Sequence, residues 1–389
     1  MTTAPDLARM KGDLAGLVAI DSQNPPGFER TAAAFVGNLM SASGFEVRYE
    51  ECRPDRTNVI GSLVNGDGPV FAFNTHLDVV PAGEGWTGDP LVLREADGRL
   101  HGRGACDAKG CLVAMIEAMR LLAADRKAWS GTLLGVFVAD EEVASAGARH
   151  FASGRPAIDF VVVGEPTSNT TVIAHKGSLR PLVRVHGTTA HSGTPHLGVN
   201  AIYKAAHVVG MVERMHREVI ALRTHPLVGS ASLTITRAQA GTADNILPDR
   251  CDLLLDRRMI PGEDEDDVKA EIEALLSTAT AELGVRCEIV DFKATTGGAS
   301  ETERTHAIVT ASLDACRRHA GAPREPHGFS GGCDLVHFRT IGAHGTVIGP
   351  GSLGVAHKPD EFVPVDEFAV APLIYRDVAL AMLGRGMLE

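Results

Sequence analysis

Three short apolar runs in this chain stop abruptly at acidic or imidazole side chains, and this pattern restricts the possible folds more than any other feature. Val70, Phe71, Ala72 and Phe73 lead into Asn74, Thr75, His76, Leu77 and Asp78; residues 132–139 (TLLGVFVA) lead straight into Asp140, Glu141 and Glu142; residues 160–163 lead into Gly164, Glu165, Pro166 and Thr167. Runs this short and this apolar read as strands buried within an α/β sheet. Ligands of such open sheets gather at the carboxyl ends of the strands. A fourth apolar run, residues 346–348, passes through Gly349, Pro350 and Gly351 to Ala356, His357, Lys358 and Pro359.

The residue types at these ends have a chemistry in common. His76 and Asp78 are two apart, so on an extended backbone they share a side, and the carboxylate can hydrogen-bond the second ring nitrogen. That pairing orients a metal-ligating histidine, although a core histidine satisfied by its neighbour has the same spacing. Three adjacent carboxylates at 140–142 repel one another unless a cation or solvent neutralises them. A solvated acidic tip is the ordinary account of such a run; its place directly after a wholly apolar strand favours a cation. The glycine-rich stretch 102–110 (GRGACDAKG) precedes an apolar helix expected over 111–122 and presents Asp107 at its mouth. Neither the Walker spacing nor GxGxxG occurs there, so a phosphate cradle is not indicated. Two histidines among several carboxylates suit zinc, and a bridging aspartate would allow two ions. Mixed nitrogen and oxygen ligands are also compatible with cobalt or manganese.

A chain of 389 residues is long for a single hydrophobic core, so two domains are expected. The net charge of -12 argues against nucleic acid or an anionic membrane surface as a partner and suits a small molecule. Seven cysteines without a CxxC pair do not form a disulfide framework and point to a reducing compartment. The opening MTTAPDLARMKGDL lacks the apolar core of a signal peptide, and no run approaches a membrane span, so a cytoplasmic location is expected. Leu7, Met10, Leu14, Leu17 and Val18 recur at helical spacing, a second helix is expected over 31–42, and Asp97-Gly98 marks a hairpin. The expected fold is α/β, a mixed, mostly parallel sheet flanked by helices. Between these elements the order changes to strand 179–186, helix 199–215, strands 231–237 and 250–258, helix 265–283 and strand 285–290. This βαββαβ order is that of a ferredoxin-like sandwich. The expected division is residues 1–176 and 291–389 for the metal-binding domain, with 177–290 inserted.

In chain order, the series THLDVVP, GRGxxDxKG, DEE, GEPT and AHKPxE resembles the dinuclear zinc aminoacylase and carboxypeptidase family, the M20-type metallopeptidases, and the resemblance runs from about residue 10 to residue 385. Within it, GEPTSNTTVIAHKG and AHSGxPxxGxNAI are most similar to the branch of acetylornithine deacetylase and succinyl-diaminopimelate desuccinylase. The resemblance implies that His76 and Glu165 bind one zinc, Glu142 and His357 the other, and that Asp107 bridges them. It further implies that Asp78 orients His76, that Glu141 is the general base, and that the inserted domain forms a homodimer contact. His191 would then donate a hydrogen bond to the oxyanion in the partner subunit's site. Arg257 and Arg258 close a strand and could offer a fork to a substrate carboxylate, the resemblance favouring Arg258; Asn245 and Gly332 are assigned with it to substrate binding. Cys333 stands where the family often has threonine, and His175 where the desuccinylases often have arginine. Cys106, Cys111 and Cys333 fit no closed zinc site and are expected to be buried, while His150, His216 and His319 are expected at the surface. The implied activity is a metal-dependent hydrolysis of the amide of a small N-acyl amino acid. A dipeptidase, carboxypeptidase or desuccinylase is the alternative within the family; a hydrolase of another C–N or ester bond, or a non-catalytic ligand-binding relative, is the alternative outside it.

Overall fold

The strand Val70–His76 has parallel neighbours on both sides, Gly131–Val138 and Phe160–Val163, in a computed structural model that describes residues 4–384. His76 lies opposite Val138, and Asn74 opposite Val163, so the three strands end at one edge of the sheet. His344–Val347 extends the parallel set beyond Phe160–Val163, with Val347 opposite Val163. Arg56–Asn65 and then Glu46–Arg53 continue the sheet on the other side in antiparallel fashion, so the sheet is mixed, with a parallel centre. Phe71, Ala72 and Phe73 are fully buried, as strands covered on both faces must be.

Helix Lys109–Ala124 is buried on almost every side because it packs between the sheet and the C-terminal helix Val365–Leu383. It begins two residues earlier than the expected 111. Lys109 is fully buried, and its ammonium donates to the carbonyls of Leu17 and Ile20 at 3.0 and 2.9 Å, where the first helix, Leu7–Val18, runs out. A lysine used as an internal cap of another helix has no apolar signature in sequence. The hairpin at Asp97-Gly98 joins Arg94–Ala96 to Arg99–His101. No helix among the described residues is long and apolar enough to cross a membrane.

Two compact units divide the chain: one takes in residues up to Ile173, Glu301–Gly328 and the chain from Cys333 on, the other Ala174–Ser300 with Phe329–Gly332. The second unit is a four-stranded antiparallel sheet in the order Ser232–Ala240, Arg250–Met259, Gly177–His186, Cys287–Lys293. Helices Ala201–Glu218 and Glu265–Leu283 pack on it through a core that includes Val183, Leu253, Val208 and Ile272, a ferredoxin-like sandwich. Asp264 caps the second helix by accepting from Asp266 and Asp267, and Gly284, at φ +58°, ends it. The last strand starts at Cys287 rather than 285, because the Val285 amide still bonds back to Ala279 in that helix end.

All seven cysteines are free, and Cys106, Cys111 and Cys333 are fully buried. His150 is exposed, but His216 and His319 are only half exposed. His216 accepts the Leu233 amide, and His319 pairs with Asp377 at 2.8 Å, so both do structural work that their polarity alone concealed.

His175, in the second unit, is buried, with Nδ1 on the Lys176 carbonyl at 3.0 Å and Nε2 without a hydrogen-bond partner. Burial lowers its pKa to about 4. A histidine depressed in this way stabilises the fold fully above its unfolded value of about 6.5 and loses that contribution as pH falls toward 4. Between pH 7 and pH 4 the loss amounts to about 3 kcal/mol. Denaturant unfolding of wild type and His175→Leu should show their stability difference moving by about that amount in favour of the variant as the pH is lowered; a difference independent of pH would place a proton on His175 in the folded state.

Candidate metal centre

Because the parallel strands end in register, the segments that follow them meet. His76 closes its strand with Nε2 3.2 Å from Asp107 Oδ1, and Asp107 Oδ2 lies 3.2 Å from His357 Nε2. His357 Nε2 is also 3.1 Å from Glu142 Oε2. Donor atoms of His76, Asp107 and Glu142 lie within 4.8 Å of one another, and so do those of His76, Glu141 and Glu165. Asp107 therefore stands between two imidazoles with one oxygen toward each. All five expected ligands and the expected base, Glu141, come together.

The electrostatics of this cluster are unbalanced. Burial raises the pKa of Glu141, with the charge of Glu165 adding to it, and burial followed by the charge of Asp107 raises Glu165 and Glu142. Burial also opposes ionisation of Asp107, but hydrogen bonds from His357 and His76 outweigh it and hold this carboxyl below the usual range. His357 is pushed up to about 10 by its bonds to Asp107 and Glu142. Among the described residues, no lysine or arginine forms an ion pair with any of these carboxylates, and Glu142 Oε1 is buried without a hydrogen-bond partner. Four converging carboxylates neutralised only by two imidazoles lack positive charge, which divalent cations would supply. The nitrogen and oxygen donors suit zinc, cobalt or manganese.

A layer of polar contacts holds the cluster. Here the expected role of Asp78 changes: the His76 Nδ1 partner is the backbone carbonyl of Asp78 at 2.9 Å, while its nearer carboxylate oxygen is 3.7 Å away. The strand ends at His76, so the extended geometry that would align the two side chains is already lost. The Asp78 carboxylate instead accepts the amides of Glu141 and Glu142 at 3.1 and 3.2 Å. Asp334 is buried beside Glu141 and Glu165, faces the Ser145 hydroxyl, and has its pKa raised to about 6, chiefly by burial. It is the residue after Cys333 in the segment expected to bind substrate.

Glu361 has no assigned role in the sequence reading, yet it is fully engaged. One oxygen accepts the amides of Gly104, Cys106 and Asp107 at 2.9, 3.0 and 3.1 Å, and the other pairs with the buried Arg103. It stands four residues after His357 and so ties the two loops carrying Asp107 and His357.

The remaining expected residues lie in the second unit. His191 is exposed, its Nδ1 accepts the Gly193 amide at 3.0 Å, and the neighbouring Ser192 amide bonds the Asn245 carbonyl at 2.9 Å. Arg258 is half exposed, with Nε on Asp256 at 2.7 Å, whereas Arg257 is buried against Glu263 and the Arg258 carbonyl. At Gly332 a Cβ would come within 2.2 Å of Thr296 Oγ1, so glycine is needed there for close packing.

Glu361→Gln turns an amide group toward Arg103 or toward the three backbone donors, and it should weaken metal binding by about 10- to 100-fold. Competition with a chromophoric chelator reads this; an unchanged affinity would mean that the Asp107 loop is held without the carboxylate.

Known proteins are similar to this chain along most of its length. Residues 72–381 match the model of peptidase family M20/M25/M40. Acetylornithine deacetylase of Vibrio vulnificus is 30% identical over 363 residues, covering 90% of this chain and 92% of its own. Aminopeptidase PepT of Bacillus cereus shares the fold at a TM-score of 0.78 and 20% identity, over 97% of this chain and 99% of its own. The YXEP protein of Bacillus subtilis, a dinuclear metal binding peptidase, does so at a TM-score of 0.73 and 19% identity, over 97% and 98%. With the family model spanning most of its length and a deacetylase at this identity covering nine-tenths of it, the chain belongs to peptidase family M20/M25/M40.

Proposed function

We propose that this hydrolase of amide bonds removes the acyl group of a small N-acyl amino acid, in the manner of an acetylornithine deacetylase. The observation that carries the reading is the convergence of Glu141 with His76 and Glu165 on one side of Asp107, and of Glu142 with His357 on the other. His76 and Glu165 would hold one ion, Glu142 and His357 the second, and Asp107 both. Zinc is the first choice, and cobalt or manganese would also fit. When bound, such ions supply Lewis acidity and bring the pKa of water toward neutrality.

Glu141 is the general base. It takes a proton from the attacking water and returns it to the leaving amine, which needs a carboxylate beside the water. Burial, followed by the charge of Glu165, raises its pKa above the usual carboxylate range. Glu142, though adjacent, is directed at His357 and cannot share this task. Arg258 and Asn245 are assigned to the substrate's carboxylate and amide, and Gly332 to the wall of its loop. A dipeptide presents the same bond, and carnosine dipeptidase 1 of human shares the fold at a TM-score of 0.71, so dipeptides belong in any substrate screen. The free cysteines are in keeping with a reducing, cytoplasmic setting.

His191 is assigned to the oxyanion of a second copy of the chain in a homodimer. Its Nδ1 accepts a backbone amide, so the ring proton belongs on Nε2, where it can be donated outward.

A panel of N-acetyl amino acids, N-succinyl amino acids, dipeptides and simple esters, assayed with added zinc or cobalt, tests the activity. Turnover of N-acetyl amino acids with close to two ions per chain is expected, and Glu141→Gln should keep its ions while losing about 10²- to 10⁴-fold in kcat. Loss of metal in Glu141→Gln with retention in Glu142→Gln would exchange the two roles, and a panel without turnover would remove the deacylase reading.

Mixing inactive His191→Ala and Glu141→Gln chains should restore activity, since in a symmetric pair one site then carries neither defect. Verified heterodimers as inactive as their parents, under conditions where wild type survives exchange, would show that His191 does not act across an interface.

A further inference from the structure

Directly behind Glu141 and Glu142 lies a buried polar cluster that the chemistry above does not use. Arg56, with 10% of its side chain exposed, divides its guanidinium between Glu29 Oε2 (Nε, 2.6 Å), Asp140 Oδ1 (Nη2, 2.7 Å) and the Pro26 carbonyl (Nη1, 3.3 Å). Glu29 also accepts the Asp140 amide at 3.3 Å. The Asn24 side-chain amide donates to Asp140 Oδ1 at 2.9 Å and to Asp78 Oδ2 at 2.8 Å. Asp78 in turn accepts the amides of Glu141 and Glu142. A continuous path of polar contacts thus leads from one guanidinium to the two peptide groups that carry the base and a ligand.

Three features show that this path holds a geometry. Asp140 sits at φ +68°, a left-handed conformation that a non-glycine residue keeps only when its surroundings impose it. Here its amide is held by Glu29 and its carboxylate by Arg56 and Asn24, and the turn it makes carries the chain out of strand Gly131–Val138. Gly27, at φ +82°, lets the turn after Asn24 close over the arginine: a Cβ there would lie 2.2 Å from Arg56 Cζ. Glu29, Asp78 and Asp140 are all buried, and Arg53, which also approaches Asp140, is mostly exposed and 3.7 Å away. Without Arg56 three buried carboxylates would face one another across Asn24.

We propose that Arg56 is a positioning residue for Glu141 and Glu142, acting through Asp140, Asn24 and Asp78, and that it governs the ion shared by Glu142 and His357 more than the ion shared by His76 and Glu165. The residues of the first ion, His76 and Glu165, are held by other contacts: His76 by the backbone carbonyl of Asp78, and the segment of Glu165 by the Gly164 amide on the Asn74 carbonyl at 2.7 Å. The inference rests on the metal reading above.

The test follows metal uptake without any substrate. Metal-free wild type, Arg56→Met, Arg56→Lys and Asn24→Leu are titrated with Co(II), with the visible d–d absorption and chelator competition read for each ion and thermal unfolding recorded in parallel. Wild type should take up two ions. Arg56→Met should hold the first with wild-type affinity, bind the second about 10- to 100-fold more weakly, and show an altered spectrum for it. Arg56→Lys, which keeps the charge without the fork, should recover part of the loss. Asn24→Leu cuts the path at its far end with the guanidinium in place and should reproduce the selective loss, including where Arg56→Met fails to fold. Wild-type affinities and spectra in the folded variants, or equal weakening of both ions, would overturn the inference alone. A wild type that takes up fewer than two ions would overturn the metal reading and this inference together.

Discussion

The mutual repulsion of buried carboxylates is the constraint on which the rest of the structure depends. Asp78, Asp107, Glu141, Glu165, Asp334 and Glu361 are all buried at one edge of the sheet, and an unpaired buried charge costs several kcal/mol. Apart from Asp334, and together with the partly buried Glu142, they fall into two groups. Glu361 and Asp78 are surrounded by backbone amides and, in the case of Glu361, by Arg103. Among the described residues, Asp107, Glu141, Glu142 and Glu165 receive no arginine or lysine and look toward His76 and His357. The first group fixes the loops in place. The second outlines the space where positive charge is missing.

The parallel sheet is what makes such a gathering possible. Strands Val70–His76, Gly131–Val138, Phe160–Val163 and His344–Val347 run the same way and finish near one line, so segments far apart in the chain emerge side by side. The largely apolar interiors of the first two pack against helix Lys109–Ala124, and that burial offsets the cost of holding the polar edge. A hairpin-connected sheet would place successive strand ends on opposite edges and scatter the same residues.

What could be read from sequence follows from the range of the interactions involved. Phe160–Val163 and Glu265–Leu283 coincide with the expected strand and helix because their signals are local, an apolar run in one and a capping aspartate with a terminal glycine in the other. The convergence of His76, Asp107, Glu141, Glu142, Glu165 and His357 was legible through motif order, since each of these residues lies in or next to a recognisable motif. The supporting contacts were not. Glu361 meets Asp107 across 254 residues, and Asn24 meets Asp140 across 116, separations over which no spacing rule operates. His76 and Asp78 misled for the opposite reason: they are so close that a one-residue change in where the strand stops exchanges a carboxylate contact for a carbonyl contact. Lys109 escaped because a buried ammonium on carbonyl oxygens looks, in sequence, like a surface lysine.

These features would make a bound ion part of the folding energetics as well as of the chemistry. In the metal-free chain, Glu141 and Glu165 have folded-state pKa values raised chiefly by burial. Protonated, below their unfolded values, they do not oppose the fold; as pH rises through the folded values, the cost of ionising them is subtracted from stability. A bound ion would require the ionised forms, so its uptake would strengthen over the same rise in pH and convert the cost into binding free energy. A ligand bound by the folded state alone then stabilises it by RT ln(1 + [L]/Kd). The backbone-braced carboxylates do not take part in this exchange, because their donors are built into the chain. The loops around the site can therefore keep their shape while the charge at its centre changes, and that separation lets a strongly acidic pocket exist both before and after it is filled.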